Sequence, residues 1–326
     1  WIDFAHGRFA GDLFRPRRDR PRPARIEWPA VRVNETLDDM DRMALQQLAG
    51  CSSQLADAGG ALLAVRSNYG TGIMPSLFGA EPFIMDDDLN TLPTSRPLAG
   101  GADAIRALCD RGVPDSWSGR GAQVLDMGGR FRELLDGYPL LKRFVFVYHP
   151  DMQGAIDVCE MLWGSGIFLA MVDMPDLLTR LLETVTETYI AFMRTWDDIV
   201  RTPDVDGCAC HWSMLHRGHI MVRLDSGMNL SPEMISRFAL PYEQRLLDEL
   251  GGGAIHFCGR ADHYIDRLAA LNGMYAVNMS QPHCNDMEII FRHTVDKGIP
   301  LVGLPAAAAE AALSAGRSLR GLVHVR

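Results

Sequence analysis

From Asn34 onward the chain alternates short apolar extended segments with helical ones, and this alternation restricts the fold more than any other feature. The extended segments are ALLAVRSN (61–68), RFVFVYHP (143–150), HIMVRLDS (219–226), GAIHFCG (253–259), MYAVNMSQP (274–282), IPLVGLP (299–305) and GLVHVR (321–326). Helical patterns such as MPDLLTRLLETVTETYIAFMRTWDDIV (174–200), SPEMISRFALPYEQRLLDEL (231–250), DHYIDRLAAL and NDMEIIFRHTVDKG separate them. Repeated β-α units imply a parallel sheet. Roughly seven or eight strand candidates in a chain of this length favour an α/β fold of the (β/α)8 TIM barrel kind over an open sheet. No Gly-rich dinucleotide fingerprint follows any strand, which weighs further against an open nucleotide-binding sheet.

Local chemistry sets several boundaries. Ser231 is an N-cap followed by Pro232 at the first helical position and Glu233 in the first turn. Pro241 breaks or kinks that helix, since it lacks the N–H and its ring clashes with the preceding turn. Pro175 stands near the start of the long helix, and a further helix begins in NETLDDMDRMALQQLAG from Asn34. Upstream, FRPRRDRPRPARIEWP sets Arg15, Arg17, Arg18, Arg20, Arg22 and Arg25 among prolines, a pattern that excludes a helix and favours an extended arm. The expected division is therefore an arm over 1–35, solvated or lying across a partner subunit, and a barrel over 36–326.

The chain is 47% hydrophobic and 22% charged, the balance of a soluble globular protein with ample core. No uninterrupted apolar run reaches the ~18–20 residues of a membrane span. The net charge of −9 argues against nucleic acid as a partner, because such binding rests on clustered Lys and Arg. Seven scattered cysteines suit a reducing compartment, and no signal peptide opens the sequence, so the expected location is the cytoplasm and the expected partner a small-molecule substrate.

Polar residues gather where the strands end. ALLAVR runs into Ser67, Asn68 and Tyr69; RFVFVY into His149, Asp151 and Gln153; HIMVRL into Asp225, Ser226 and Asn229; GAI into His256 and Cys258. AVNMS carries Asn278 and leads to Gln281, His283 and Cys284. Any one of these is ordinarily a cap or turn residue. In a parallel barrel, however, all strand carboxyl ends share one face, where barrel enzymes place their sites. Five such clusters on one rim make a concave polar site.

Within that set, His256 and Cys258 occupy i and i+2 of one strand and project from the same face. Imidazole nitrogen and thiolate sulfur are favoured zinc donors, although a strand His or Cys is by itself more often part of a packed core. Cys284, one helix and one strand later, offers a third ligand, which leaves one coordination position open. CACHW supplies Cys208, Cys210 and His211 in an apparent hairpin, with packing the more ordinary role for its two thiols. Asp225 is a strand-end carboxylate suited to be ligand, proton acceptor or orienting group. His216 and His219 flank a glycine in a turn-like segment and read as structural.

LDSGMNLSPEMISRFALPYEQRLLDEL followed by AIHFCG resembles the uroporphyrinogen decarboxylase superfamily, which includes that decarboxylase and zinc-dependent methyltransferases that exchange methyl groups with corrinoids. The family's strand-end DS, LSP helix start and PY match Asp225-Ser226, Leu230-Ser231-Pro232 and Pro241-Tyr242. The H-x-C-G of the methyltransferase branch matches His256, Cys258 and Gly259, and DMQGAIDVCEMLWGS looks like the family's third-strand region. The resemblance covers about residues 40 to 326. It departs in two places: the decarboxylase's N-terminal Arg-containing element has no counterpart, and the last strand, GLVHVR, lacks the Cys that serves those methyltransferases as third ligand. That ligand then lies beyond Arg326, or Cys284, His211 or Asp225 replaces it, or no zinc binds.

The resemblance implies a (β/α)8 enzyme that transfers a methyl group by a zinc-assisted route, with a corrinoid as donor or acceptor, a corrinoid protein as partner and a homodimeric state. His256, Cys258 and Cys284 are then the metal residues, and Asp225, His149 and Tyr69 the catalytic ones. Arg66, Asn68, Asp151, Gln153, Asn229, Asn278 and Gln281 would bind substrate, with RSNYGTGIMPSLFGAE (66–81) contributing further contacts. Two other functions are carried alongside. One is a decarboxylase acting on uroporphyrinogen or another carboxylated substrate, which needs cations such as Arg66, Arg223 and Arg260. The other is a non-catalytic module that binds a corrinoid or tetrapyrrole.

Overall fold

The computed structural model describes residues 1–326, and the chain folds as two compact units. One comprises Arg18–Pro203; the other joins Trp1–Arg17 to Asp204–Arg326.

In the unit Arg18–Pro203 the strands are β1 (Leu63–Val65), β2 (Pro82–Phe83), β3 (Thr94–Ser95) and β4 (Val145–Val147). β1 and β4 pair in parallel with Leu63 opposite Val145 and Val65 opposite Val147, while β2 and β3 form a short antiparallel ladder. Helices dominate the rest. Pro175–Val200 starts on its proline and buries Leu178, Leu181, Leu182, Val185, Tyr189, Phe192, Met193 and Trp196. That spacing of three and four residues is what lays one apolar stripe against the core.

The other unit carries β5 (Cys208–His211), β6 (Met214–Arg217), β7 (Ile220–Arg223), β8 (Gly253–Phe257), β9 (Met274–Met279), β10 (Leu301–Leu304) and β11 (Val323–Val325). The last five form one parallel sheet in the order β11-β10-β9-β8-β7. A helical segment follows each of β7 to β10 in the chain, as parallel crossovers require. After β7, Ser231 Oγ accepts the Met234 N–H, a cap that contributes about 1 kcal/mol. The helix then breaks at Ala239 into Pro232–Phe238 and Leu240–Glu249, as the proline at 241 requires.

The β5–β6 hairpin turns through Trp212 (φ 45°) and Ser213 (φ 62°), the two left-handed residues that a tight two-residue hairpin of matching twist demands. It packs over one face of the parallel sheet. There Met214 joins Met221, Ala254, Ala276 and Val302 in a core that also takes in Phe4 and Phe14. Small side chains on the sheet make room for it. At Gly303 (φ +73°) an added Cβ would come within 2.6 Å of Met214 Sδ, so the position requires glycine for conformation and for space.

The N-terminal segment departs from the expected 1–35 arm. Trp1, Phe4, Phe9 and Phe14 pack against this core, with Phe14 bridged to His324 on β11. Four aromatic rings in fourteen residues are enough apolar surface to fix the segment. Arg18 is also held, by the carbonyls of Gln54, Gly59 and Ala61, whereas Arg20, Arg22 and Arg25 are exposed.

All seven expected strands form, in parallel ladders of two and five. The architecture is a mixed α/β fold with a parallel sheet. No single helix is long and apolar enough to cross a membrane.

Candidate metal centre

The carboxyl ends of β7, β8 and β9 bring Arg223, His256 and Asn278 into register across three neighbouring parallel strands. Residues in register on a parallel sheet share a face, and these stand two positions beyond Met221, Ala254 and Ala276, where the packed core gives way to polar groups.

His256 Nδ1 lies 2.6 Å from Asn278 Oδ1, and Asn278 Nδ2 donates to the Val302 carbonyl at 2.5 Å. With the amide thus oriented, Nδ1 of His256 is the donor and Nε2 presents its lone pair. Nε2 faces Cys258 Sγ at 3.4 Å and Asp225 Oδ1 at 3.4 Å. The same Oδ1 accepts the Cys258 backbone N–H at 2.8 Å, which ties the carboxylate to the turn after β8. One ligand atom from each of Asp225, His256 and Cys258 lies within 4.8 Å of the others.

This donor set fits a zinc ion. Tetrahedral ligands at zinc bonding distances stand about 3.3–3.8 Å apart, the separation that Nε2 keeps from the sulfur and from the carboxylate oxygen. A nitrogen, a sulfur and a carboxylate oxygen are all zinc donors, three of them leave an open position, and Asn278 supplies the outer hydrogen bond that orients a ligating imidazole.

The turn that carries Cys258 is held from several sides. Gly259 has φ +70°, and a Cβ there would approach Met228 Sδ to 2.5 Å, so the residue after the thiol requires glycine. Gln281 Oε1 accepts the Gly259 N–H at 2.6 Å. Asn285 Oδ1 accepts the N–H groups of Ala261 and Asp262, and its Nδ2 donates to the Gly259 carbonyl.

The hairpin tip forms the side wall. Trp212 meets the His256 ring edge to face at 4.9 Å and 83°, and the Arg223 guanidinium lies 4.2 Å from the Trp212 ring centre. Arg223 is 2% exposed and donates to the Met221 carbonyl and to His211 Nε2 at 3.2 Å. An arginine only donates, so His211 carries its ring proton on Nδ1. A tryptophan at positive φ is costly, and these two contacts hold it there.

Not every expected ligand reaches the centre. Cys284 is exposed, at the end of the 3-10 turn Pro282–Cys284 beyond β9, and lies outside the ligand group. Spacing placed it on the next strand, but the chain has already turned away from the sheet. Asp225 is the third member of the cluster that could hold a metal ion. Gln281 braces the Cys258 turn, and Asn229 is exposed at the end of the 3-10 segment Ser226–Asn229 that follows Asp225. His211 is wholly buried against Arg223, while Cys208 is buried, its thiol pushed up to about 11 by burial. His216 is buried too, as its structural reading expects, and burial lowers it to about 4.

The residues expected from β1 and β4 belong to the other unit. Arg66 Nη1 pairs with Asp151 Oδ2 at 3.4 Å, and Gln153, at φ 57°, donates to Asp151 Oδ1 at 2.8 Å. His149 Nδ1 donates to the Pro150 carbonyl at 2.8 Å. Tyr69 is buried, which pushes its phenol up to about 12, with Arg120 working in the opposite direction. Asn68 Oδ1 is buried and has no hydrogen-bond partner.

Two contributors escaped sequence reasoning. Trp212 was visible only as part of CACHW, and Asn285 only as the first residue of the helical pattern NDMEIIFRHTVDKG. The one signal for Asn285 is its place just before Asp286, the N-cap of the helix Met287–His293.

No family model matches the chain, and no curated protein matches it in sequence. Among solved structures, a methyltransferase from Methanosarcina mazei is similar, with a TM-score of 0.64 at 16% identity over 90% of this chain and 81% of that one. At that identity the likeness establishes a shared fold.

Proposed function

We propose that this chain is a (β/α)8-barrel enzyme that catalyses methyl transfer, with zinc held by Asp225, His256 and Cys258. The observation that carries the reading is the cluster itself: three unlike donor atoms within 4.8 Å on adjoining strand ends, with the imidazole oriented by Asn278. The fold shared with a protein named as a methyltransferase supports the reaction class. Zinc with three protein ligands and an open position lowers the pKa of a bound thiol or hydroxyl and so prepares an acceptor or donor for methyl transfer. A corrinoid, free or on a carrier protein, is the proposed exchange partner, and the proposed working state is a homodimer in the cytoplasm.

The chain's own groups prepare the site. Asn278 holds Nε2 of His256 toward the cluster. The Cys258 N–H fixes Asp225, whose carboxylate is one-third exposed and can take a proton from an entering acceptor. Trp212 excludes water from one side of the imidazole.

The decarboxylase reading receives no comparable support. Arg66 is paired with Asp151, Arg260 with Asp262, and Arg223 is committed to His211 and the Met221 carbonyl. The test is demetallation of the whole chain followed by zinc titration, with methyl transfer between methylcobalamin and small thiols followed by absorbance. One zinc per chain, lost with Cys258→Ser together with turnover, is the expected result. A chain that binds no stoichiometric zinc and is indifferent to Cys258→Ser would remove the proposal.

A further inference from the structure

The unit Arg18–Pro203 contains a cavity of about 400 Å³ that has no part in the metal centre. Its size falls in the range that takes a small organic ligand. Val145 and Val147 of β4 and Val200 at the end of the long helix give it an apolar floor, while Arg132, Lys142 and Arg201 face it with a single carboxylate, Asp136. Lys142 and Asp136 are paired at 2.8 Å, and that contact holds the Asp136 carboxyl below its ordinary range. The Arg132 charge also acts on Asp136, and three cations against one carboxylate leave the cavity wall with an excess of positive charge.

Both are set in place. Arg132 Nη1 donates to the Ile199 carbonyl at 3.0 Å, and its Nε is buried with no hydrogen-bond partner. A buried donor left unmade is unfavourable. Arg201 terminates the helix Pro175–Val200 at φ 51°, ψ 55°, a left-handed position that glycine ordinarily fills. The conformation is unfavourable for a residue with a Cβ. Arg201 Nε donates only to the nearby Asp198 carbonyl, at 3.3 Å. Two unfavourable local choices thus converge on the same cavity.

We propose that this cavity binds a small amphiphilic carboxylate, its carboxylate held by Arg132 and Arg201 and its short apolar body on the valine floor. Planar guanidinium groups match a carboxylate with paired hydrogen bonds. A compact, strongly hydrated anion such as inorganic phosphate leaves the valine surface uncovered and gains nothing from it.

Titration calorimetry of the full chain with hexanoate, hexan-1-ol and inorganic phosphate tests the assignment. Saturable one-to-one binding of hexanoate is expected, with hexanol and phosphate each weaker by roughly tenfold or more. Arg132→Gln should weaken hexanoate by roughly tenfold or more, the loss of one charged hydrogen-bonding partner. Arg201→Gly provides the control for folding, because glycine relaxes the left-handed position; its melting temperature should hold or rise while hexanoate binding falls. Absence of saturable hexanoate binding, equal binding of hexanol or phosphate, or unchanged hexanoate affinity in a folded Arg201→Gly chain would each overturn the proposal.

Discussion

Asn278 and His256 stand opposite each other on adjacent parallel strands, and the 2.6 Å contact between Oδ1 and Nδ1 determines which imidazole nitrogen faces Cys258 and Asp225. Replacing the amide removes that choice. For Asn278→Ala we expect zinc affinity to fall about 10- to 100-fold, the usual effect of losing the group that orients a ligating histidine. Folding stability should fall by about 1–3 kcal/mol, because the Val302 carbonyl also loses its partner. Competition with a chromophoric chelator and urea unfolding measure the two separately.

Asp225 has two roles that one substitution separates. In Asp225→Asn the side-chain oxygen still accepts the Cys258 N–H, so the turn should persist and the urea midpoint should stay near the parent value. The negative charge beside His256 Nε2 is lost, and zinc binding should weaken by an order of magnitude or more, the response of a ligand rather than of a brace. A change in stability with unchanged zinc affinity would assign Asp225 to structure alone.

The strands were legible because each is a run of apolar, often β-branched residues closed by turn formers, and the break before Pro241 followed from the missing N–H. The pairing of His256 with Cys258 was legible for a similar reason: a strand's two-residue period fixes which side chains share a face. The third member of the cluster was not. Whether Asp225 or Cys284 turns toward Cys258 depends on the path taken after each strand ends, and the 3-10 turn that carries Cys284 away has no periodic signature. Trp212 was hidden because its importance lies in Arg223 and His256, residues distant in sequence and close only after folding. The N-terminal segment misled because its prolines and arginines dominate its composition, whereas Trp1, Phe4, Phe9 and Phe14 determine where it packs.

Gly259 is held to glycine by conformation and by Met228. Gly259→Ala should destabilise the folded chain by about 1–3 kcal/mol, the cost of a side chain at strained backbone. It should also reduce zinc binding by moving Cys258. Met228 is exposed, so Met228→Ala in the same chain opens space cheaply and should recover the steric part of the loss while leaving the conformational part. Urea unfolding of the two single variants and the double variant gives the coupling; strict additivity would show that the 2.5 Å approach of an added Cβ to Met228 Sδ does not matter.

Acid should weaken the unit that carries the metal centre through two buried histidines outside it. Burial lowers His324 to about 3, with the Arg326 charge adding to the effect, and lowers His216 to about 4 against the pull of the Arg217 carbonyl. An unfolded histidine titrates near 6.5, so between that pH and the folded values the unfolded chain binds more protons and stability falls as pH falls. The stabilisation is complete above about pH 6.5 and is lost progressively below it, by about 2 kcal/mol for each histidine at about pH 5. Carboxylates such as Asp12, lowered by the backbone N–H groups of Arg320 and Leu319 against the opposing effect of burial, add loss in the same direction at lower pH. Substitution isolates the histidine contribution. In His324→Gln a side-chain oxygen still accepts the Gly303 N–H, and no proton is taken up. Urea midpoints measured from about pH 7.5 down to about pH 4.5 should therefore fall less steeply in His324→Gln than in the parent, and less steeply again when His216→Gln is added; parallel curves for all three chains would show that neither histidine is kept neutral by the fold.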